Sequence, residues 1–157
     1  MLQKYLLIFL ISMVPVIELR GAMPFAAGMD LDFTASLAVC TLGNMVPVPF
    51  IYFFARKVLV WGADKKYIGK FFRYCLEKGE HGGQKLVAKT GRGGLFVALM
   101  LFVGIPIPGT GAWTGTLAAS FLNMGFKSAV CSVSLGVVIA GIIMGLGSHT
   151  VLHVFGL

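Results

Sequence analysis

Four uncharged runs, three of them containing proline, set the pattern of this chain. Tyr5 to Ile17 is 13 residues without a charge, short of the about 20 that a spanning helix needs, so the segment is expected to enter an apolar layer and turn. Phe33 to Phe54 is 22 uncharged residues, long enough to cross, with Pro47 and Pro49 kinking its last third. Gly93 to Phe126 is 34 uncharged residues. As one helix it would measure about 51 Å against an apolar layer of about 30 Å, so it must break. The break is legible at Pro106-Ile107-Pro108-Gly109-Thr110-Gly111, leaving two arms of similar length, with a new helix from about Ala112. Ser128 to Gly147 then crosses in the opposite sense, and His149 and His153 follow it.

The connector between the two halves has a different period. Tyr67, Ile68, Phe71, Phe72, Cys75 and Leu76 form one apolar stripe of a helix, and Lys65, Lys66, Lys70, Arg73 and Lys78 lie around it. Asp64 is expected to cap its start and Gly79 its end. Such a helix lies in the headgroup plane of an anionic lipid surface, or packs on a neighbouring subunit. The glycine-rich stretch from Gly79 to Gly94 is expected to be a flexible loop.

These elements predict an all-α integral membrane protein with two re-entrant, broken helical hairpins, each followed by a transmembrane helix, and an amphipathic connector. The whole of residues 1–157 reads as a single membrane domain: 1–55 the first hairpin and its helix, 56–92 the basic connector, 93–157 the second hairpin and its helix. A hairpin and a crossing, repeated from opposite sides, is the layout of an inverted repeat whose interrupted helices meet near the midplane. Ala26-Ala27 with Ala118-Ala119, and Cys40 with Cys131, are its faint sequence echoes. The rival layout has both broken segments crossing fully, which would strand Lys127 outside.

Composition supports the membrane reading. Of 157 residues 57% are hydrophobic and only 12% charged, about half the usual soluble share. The net charge of +7 would suit a nucleic-acid partner, but ten of the thirteen Lys and Arg lie between Arg56 and Arg92. That clustering marks 56–92 as the cytoplasmic side, and no nucleic acid is expected. Met1 to Ile17 has the outline of a signal peptide but lacks a clean small-x-small site, so it is expected to remain in the mature chain. Cys40, Cys75 and Cys131 show no metal or redox spacing, and no cofactor is expected.

The candidate chemistry sits at the breaks. Val14-Pro15-Val16-Ile17-Glu18-Leu19-Arg20-Gly21-Ala22-Met23-Pro24 places an acid and a base two residues apart in apolar surroundings, where a charge costs about 2.5 to 3.5 kcal/mol on insertion scales. Glu18 is the candidate proton-coupling acid and Arg20 the candidate anion anchor, with a structural ion pair as the alternative. In the second break, after Pro106 and Pro108, the residues Gly109, Thr110, Gly111 and Gly115 are expected to present bare backbone amides before a helix, an anion-binding arrangement. Close helix packing through Gly111 and Gly115, as through Gly141 and Gly145, is the alternative. Trp113 suits either a ligand or the core, and Asn44 and Asn123 stand near breaks where they can serve the backbone. The i, i+4 spacing of His149 and His153 lacks a third ligand, so no metal is assigned. An enzyme is not expected, since Glu18 has no second carboxylate and no metal cluster or nucleophile set accompanies it.

The blocks from Pro15 to Pro24 and from Pro106 to Gly115 resemble the family of small multidrug export proteins, over nearly the whole chain. That family in turn looks like a compact relative of the DedA and VTT superfamily, whose members carry paired re-entrant hairpins. The resemblance implies DedA-like architecture, proton-linked transport and, in the superfamily, flippase activity on phospholipids or polyprenyl phosphate carriers. Where that superfamily carries arginines around the second Pro-Gly, this chain has Ile105 and Gly111, which leaves Arg20 and backbone amides as anion donors. The expectation is a small secondary transporter of a prokaryotic inner membrane, acting on an amphipathic or anionic substrate. Its partners would be membrane lipids, protons and that substrate. A multidrug exporter or a membrane-organising module acting through Lys65, Lys66, Lys70 and Arg73 are the alternatives. The small size suggests a homo-oligomer.

Overall fold

A computed structural model describes residues 2–15, 17–64, 69–107 and 110–155, which are helical wherever they are not turning. In chain order the helices are α1 (Leu2–Met13), α2 (Glu18–Gly28), α3 (Phe33–Met45), α4 (Pro47–Ala63), α5 (Gly69–Gly104), α6 (Ala112–Phe121) and α7 (Phe126–Phe155). Three stretches among the described residues are long and apolar enough to cross a membrane: Phe33–Ala63, Val87–Gly104 and Phe126–Ser148.

Proline and glycine place the interruptions. Pro47 cannot donate to the preceding turn, so α3 ends at Met45 and α4 starts with Pro47 in its first turn, a bend within one 31-residue apolar stretch. The expected loop from Gly79 to Gly94 is instead helix. It bends once, at Gly91, whose φ of 72° is left-handed backbone that glycine adopts without a steric cost. Helix therefore runs through Gly79, where the connector was expected to stop, and Asp64, expected to cap the connector's start, ends α4 directly before residues outside the described ones. Residues 65–68, including Lys65, Lys66, Tyr67 and Ile68 of the expected stripe, lie outside the described residues. So do the side chains of Phe71, Phe72, Cys75, Leu76, His149 and His153.

The first broken segment folds back on itself. Lys4 Nζ, in the first turn of α1, donates to the carbonyl of Met29 just past α2 at 3.0 Å, so the two short helices run antiparallel. The second does likewise, since Gln84, Val87 and Arg92 of α5 line one cavity with Leu122 to Gly125, beyond the end of α6. Both short return helices close with the same device. After α2, Asp30 has φ 54° and the amides of Asp30 and Leu31 donate to Ala27 and Ala26. After α6, Asn123 has φ 54° and the amides of Asn123 and Met124 donate to Ser120 and Ala119. This is a Schellman cap each time, followed two residues later by a helix that opens on phenylalanine, Phe33 or Phe126.

Small residues bring the helices close. Ala22, Ala112, Ala119 and Ala129 are fully buried beside Ile8, Leu19, Val103, Val133 and Val137. Hydroxyls join helices across the core: Ser132 Oγ donates to the Phe96 carbonyl at 2.7 Å and Ser120 Oγ to the Tyr52 carbonyl at 3.2 Å. Each such bond between helices in lipid contributes on average about 0.6 kcal/mol. The Tyr52 hydroxyl donates to the Met124 carbonyl, and its ring meets Phe126 edge-on at 5.3 Å, which ties α4 to the turn before α7.

Candidate functional site

Glu18 is the first residue of α2 and has a φ of 50°, a left-handed backbone that costs a side-chain-bearing residue about 1 to 2 kcal/mol. The carboxylate, 6% exposed, is held in the other half of the chain. Its Oε2 accepts from the Ala112 amide and its Oε1 from the Trp113 amide, each at 3.0 Å. These are the first two amides of α6, which have no partner within their own helix. A negative charge here also complements the positive end of the helix.

Arg20 does the opposite. Its guanidinium donates to the carbonyls of Ile107, Val103 (3.0 Å) and Ile105 (3.1 Å), and to Thr110 Oγ1 (2.8 Å). Those carbonyls belong to the last turn of α5 and the extended segment after it, the negative end of that helix. The Thr110 hydroxyl, 2.9 Å from both the Ile105 and Ile107 carbonyls, donates its proton there. Acid and base of the first break thus cap the two sides of the second: Glu18 the helix that begins, Arg20 the helix that ends.

This geometry revises the expectation of bare amides. The amides of Ala112 and Trp113 are occupied by the chain's own carboxylate, and the Arg20 guanidinium is engaged by three backbone carbonyls and the Thr110 hydroxyl. Gly111 makes room for that carboxylate. Its φ of 162° is ordinary extended backbone, but a Cβ there would lie 2.1 Å from Glu18 Oε2, so only glycine admits the carboxylate. Gly115 packs against Val103, and Gly141 and Gly145 against Leu19, Leu37, Phe33 and Met23, as helix packing requires.

Beside the crossed pair lies an open, mainly apolar groove of about 570 Å³. Pro15, Ile17, Glu18, Arg20, Pro106, Thr110 and Trp113 line it, with Thr114, Leu117 and Met144. Trp113 Nε1 is buried without a hydrogen-bond partner. Pro24 stands one turn along α2 from Arg20, outside this lining, and removes the amide that would have bonded the Arg20 carbonyl. Pro108 and Gly109 lie outside the described residues. Lys70 and Arg73 are exposed on α5, away from the groove, and Arg73 Nε donates to the Ala63 carbonyl at 3.0 Å. The walls contributed by Leu117 and Met144 were missed in the sequence. Leu117 carried a signal, standing at i+4 from Trp113 on one face of α6, whereas Met144 carried none.

The fold and site define a small multi-pass membrane protein whose interrupted helices meet around one acid and one base. The chain belongs to the family of small multi-drug export proteins, whose sequence profile matches residues 18–143. That match opens at Glu18 and takes in Arg20 and the second break, leaving α1 and the turn before Glu18 outside it. No curated protein and no solved structure is significantly similar to the chain. The family name suggests a transporter rather than an enzyme and names no cargo.

Proposed function

We propose that this protein is a proton-coupled secondary transporter that exports small amphipathic molecules through the groove between its two breaks. The observation that carries this reading is the hold of Glu18 on the start of α6, at the wall of that groove. A carboxylate bound only by two amides is a latch that a proton weakens: neutralising it removes the charge facing the helix end and one acceptor from the amides. The groove is lined largely by carbon, and Arg20 and the α6 amides are already engaged, so a neutral or cationic amphiphile fits better than a phosphate. In this reading the α1–α2 and α5–α6 pairs are re-entrant hairpins entering from opposite faces. Their shared cap, repeated at Asp30 and Asn123, is what supports an inverted repeat.

The test is uptake of a fluorescent lipophilic cation such as ethidium into liposomes containing purified protein, with and without an imposed pH gradient. A short-chain polyprenyl phosphate serves as the second cargo. Gradient-dependent movement of the cation, lost in Glu18→Gln, is the expected result. Movement of the polyprenyl phosphate alone would replace the cargo assignment, and movement of neither above protein-free liposomes would overturn the transport reading.

A further inference from the structure

Asn44 is the last but one residue of α3, immediately before the bend at Val46, and is 1% exposed. Its Oδ1 is buried without a hydrogen-bond partner. An orphan carbonyl at this depth is uncommon and calls for an explanation. The side chain borders a small void that it shares with Glu18, Arg20, Gly111, Ala112 and Val137, and the void has no room for a water molecule. Hydration therefore does not satisfy Asn44, and the space is too tight for a hydrated cation.

The donor and acceptor inventory around Glu18 identifies what Asn44 is for. While ionised, the carboxylate only accepts, and each oxygen already takes one amide. Once protonated it becomes a donor and needs an acceptor. The Ala112 and Trp113 amides are donors, the Arg20 guanidinium has no acceptor, and Thr110 Oγ1, which accepts a hydrogen bond from Arg20, does not line this void. Among the described residues lining this void, Asn44 Oδ1 is the side-chain acceptor left over. We propose that Asn44 is the hydrogen-bond acceptor for protonated Glu18: on protonation the carboxyl group gives up one α6 amide and donates its O–H to Asn44 Oδ1, the proton remaining on Glu18. This rests on the proton-coupled reading above and deepens it. It joins the release of α6 to the bend between α3 and α4, so that one proton acts on two breaks at once.

The other titratable groups on the elements packed against α2 are engaged or placed elsewhere. Lys4 of α1 is bound at Met29, at the far end of α2, and Tyr5 is half-buried near the same end. Cys40 of α3 meets the Ile8 carbonyl, Asp32 caps α3, and Lys127 and Cys131 lie in the first turns of α7. Among the described side chains, Arg20 is the charged group that faces Glu18.

Infrared difference spectra of purified protein in liposomes, taken between high and low pH, test this. A protonated carboxyl band that disappears in Glu18→Gln identifies the Glu18 proton. In Asn44→Leu the band should move to higher frequency, and proton affinity should fall about tenfold as the acceptor is lost. Asn44→Ala, which removes the same group with less bulk, should do the same and covers a failure of leucine to fit. A band at the wild-type frequency and pH in the folded variants would overturn the role of Asn44 and leave proton coupling standing. Absence of any Glu18-dependent band in the wild type, at every pH where the protein stays folded, would overturn both.

Discussion

A methyl group at position 111 would lie 2.1 Å from Glu18 Oε2 and 2.8 Å from Oε1, so Gly111→Ala forces the carboxylate off its two amides. We expect it to lose about 1 to 3 kcal/mol, the penalty for buried charged and amide groups left unpaired, and to transport no better than Glu18→Gln. Thermal unfolding in detergent alongside the uptake assay reads both. Gly125→Ala is the control, because nothing lies within 4 Å of its Cβ position. Arg20→Lys should also fail despite keeping the charge. A guanidinium spans three carbonyls and a hydroxyl in one plane, whereas an ammonium is a point charge with three donors, and the substitution should cost about 1.5 to 3 kcal/mol. An Arg20→Lys variant with wild-type melting and transport would show that this network does not matter. Glu18 and Arg20 were legible in the sequence because charge is rare in apolar runs. Their partners were not, because the amides of Ala112 and Trp113 carry no signature in residue type, and the roles are reciprocal between segments about ninety residues apart.

At the scale of elements, α5 and α7 cross where Gly136 meets the Met100 carbonyl and Val103. A Cβ on Gly136 would lie 2.7 Å from each. Neither a helix carbonyl nor a β-branched side chain yields easily, so Gly136→Ala should push the helices apart and cost about 1 to 3 kcal/mol. Gly147→Ala on the same helix, which meets nothing within 4 Å, should melt within about 0.5 kcal/mol of wild type. Comparison of the two melting curves checks this: alanine gains helix propensity at both positions, so a Gly136→Ala protein that melts no lower than Gly147→Ala would mean that close approach does not decide. The breaks at Pro47 and Pro106, and the start of α6 at Ala112, could be read from proline and from length alone. The stretch from Gly79 to Gly94 could not. Its glycines each cost about 1 kcal/mol of helix propensity, which argued for a loop. Burial of Leu95, Leu99 and Val103 against α7 outweighs that cost, and a single left-handed residue at Gly91 absorbs the change of direction.

Across the whole molecule the short helices α2 and α6 end in the same cap, and the proposed repeat makes a prediction about sides. Asp30-Leu31-Asp32-Phe33 and Asn123-Met124-Gly125-Phe126 end a short return helix and open a long one in the same way, yet share only the phenylalanine. The likeness of the two caps was faint in the sequence because what they share is a backbone conformation. Asp and Asn both tolerate φ near 54°, and Leu31 and Met124 both bury an apolar group behind the turn. Since Lys4 meets Met29, the start of α1 and the end of α2 share a face. Since Arg92 lines one cavity with Asn123 and Ser128, the second pair of helices also opens to a single face. Phe33–Ala63, which runs from beside the first cap toward the basic connector, should put those faces on opposite sides of the membrane. Cysteines introduced one at a time at Lys4, Asp30, Arg92 and Ser128 in a cysteine-free background will show this with a membrane-impermeant maleimide. Positions 4 and 30 should label from one side, and 92 and 128 only from the other. Labelling of 4 and 30 from different sides would mean that the first broken segment crosses fully. The site at Glu18 would then lie along a single interrupted crossing instead of between two hairpins.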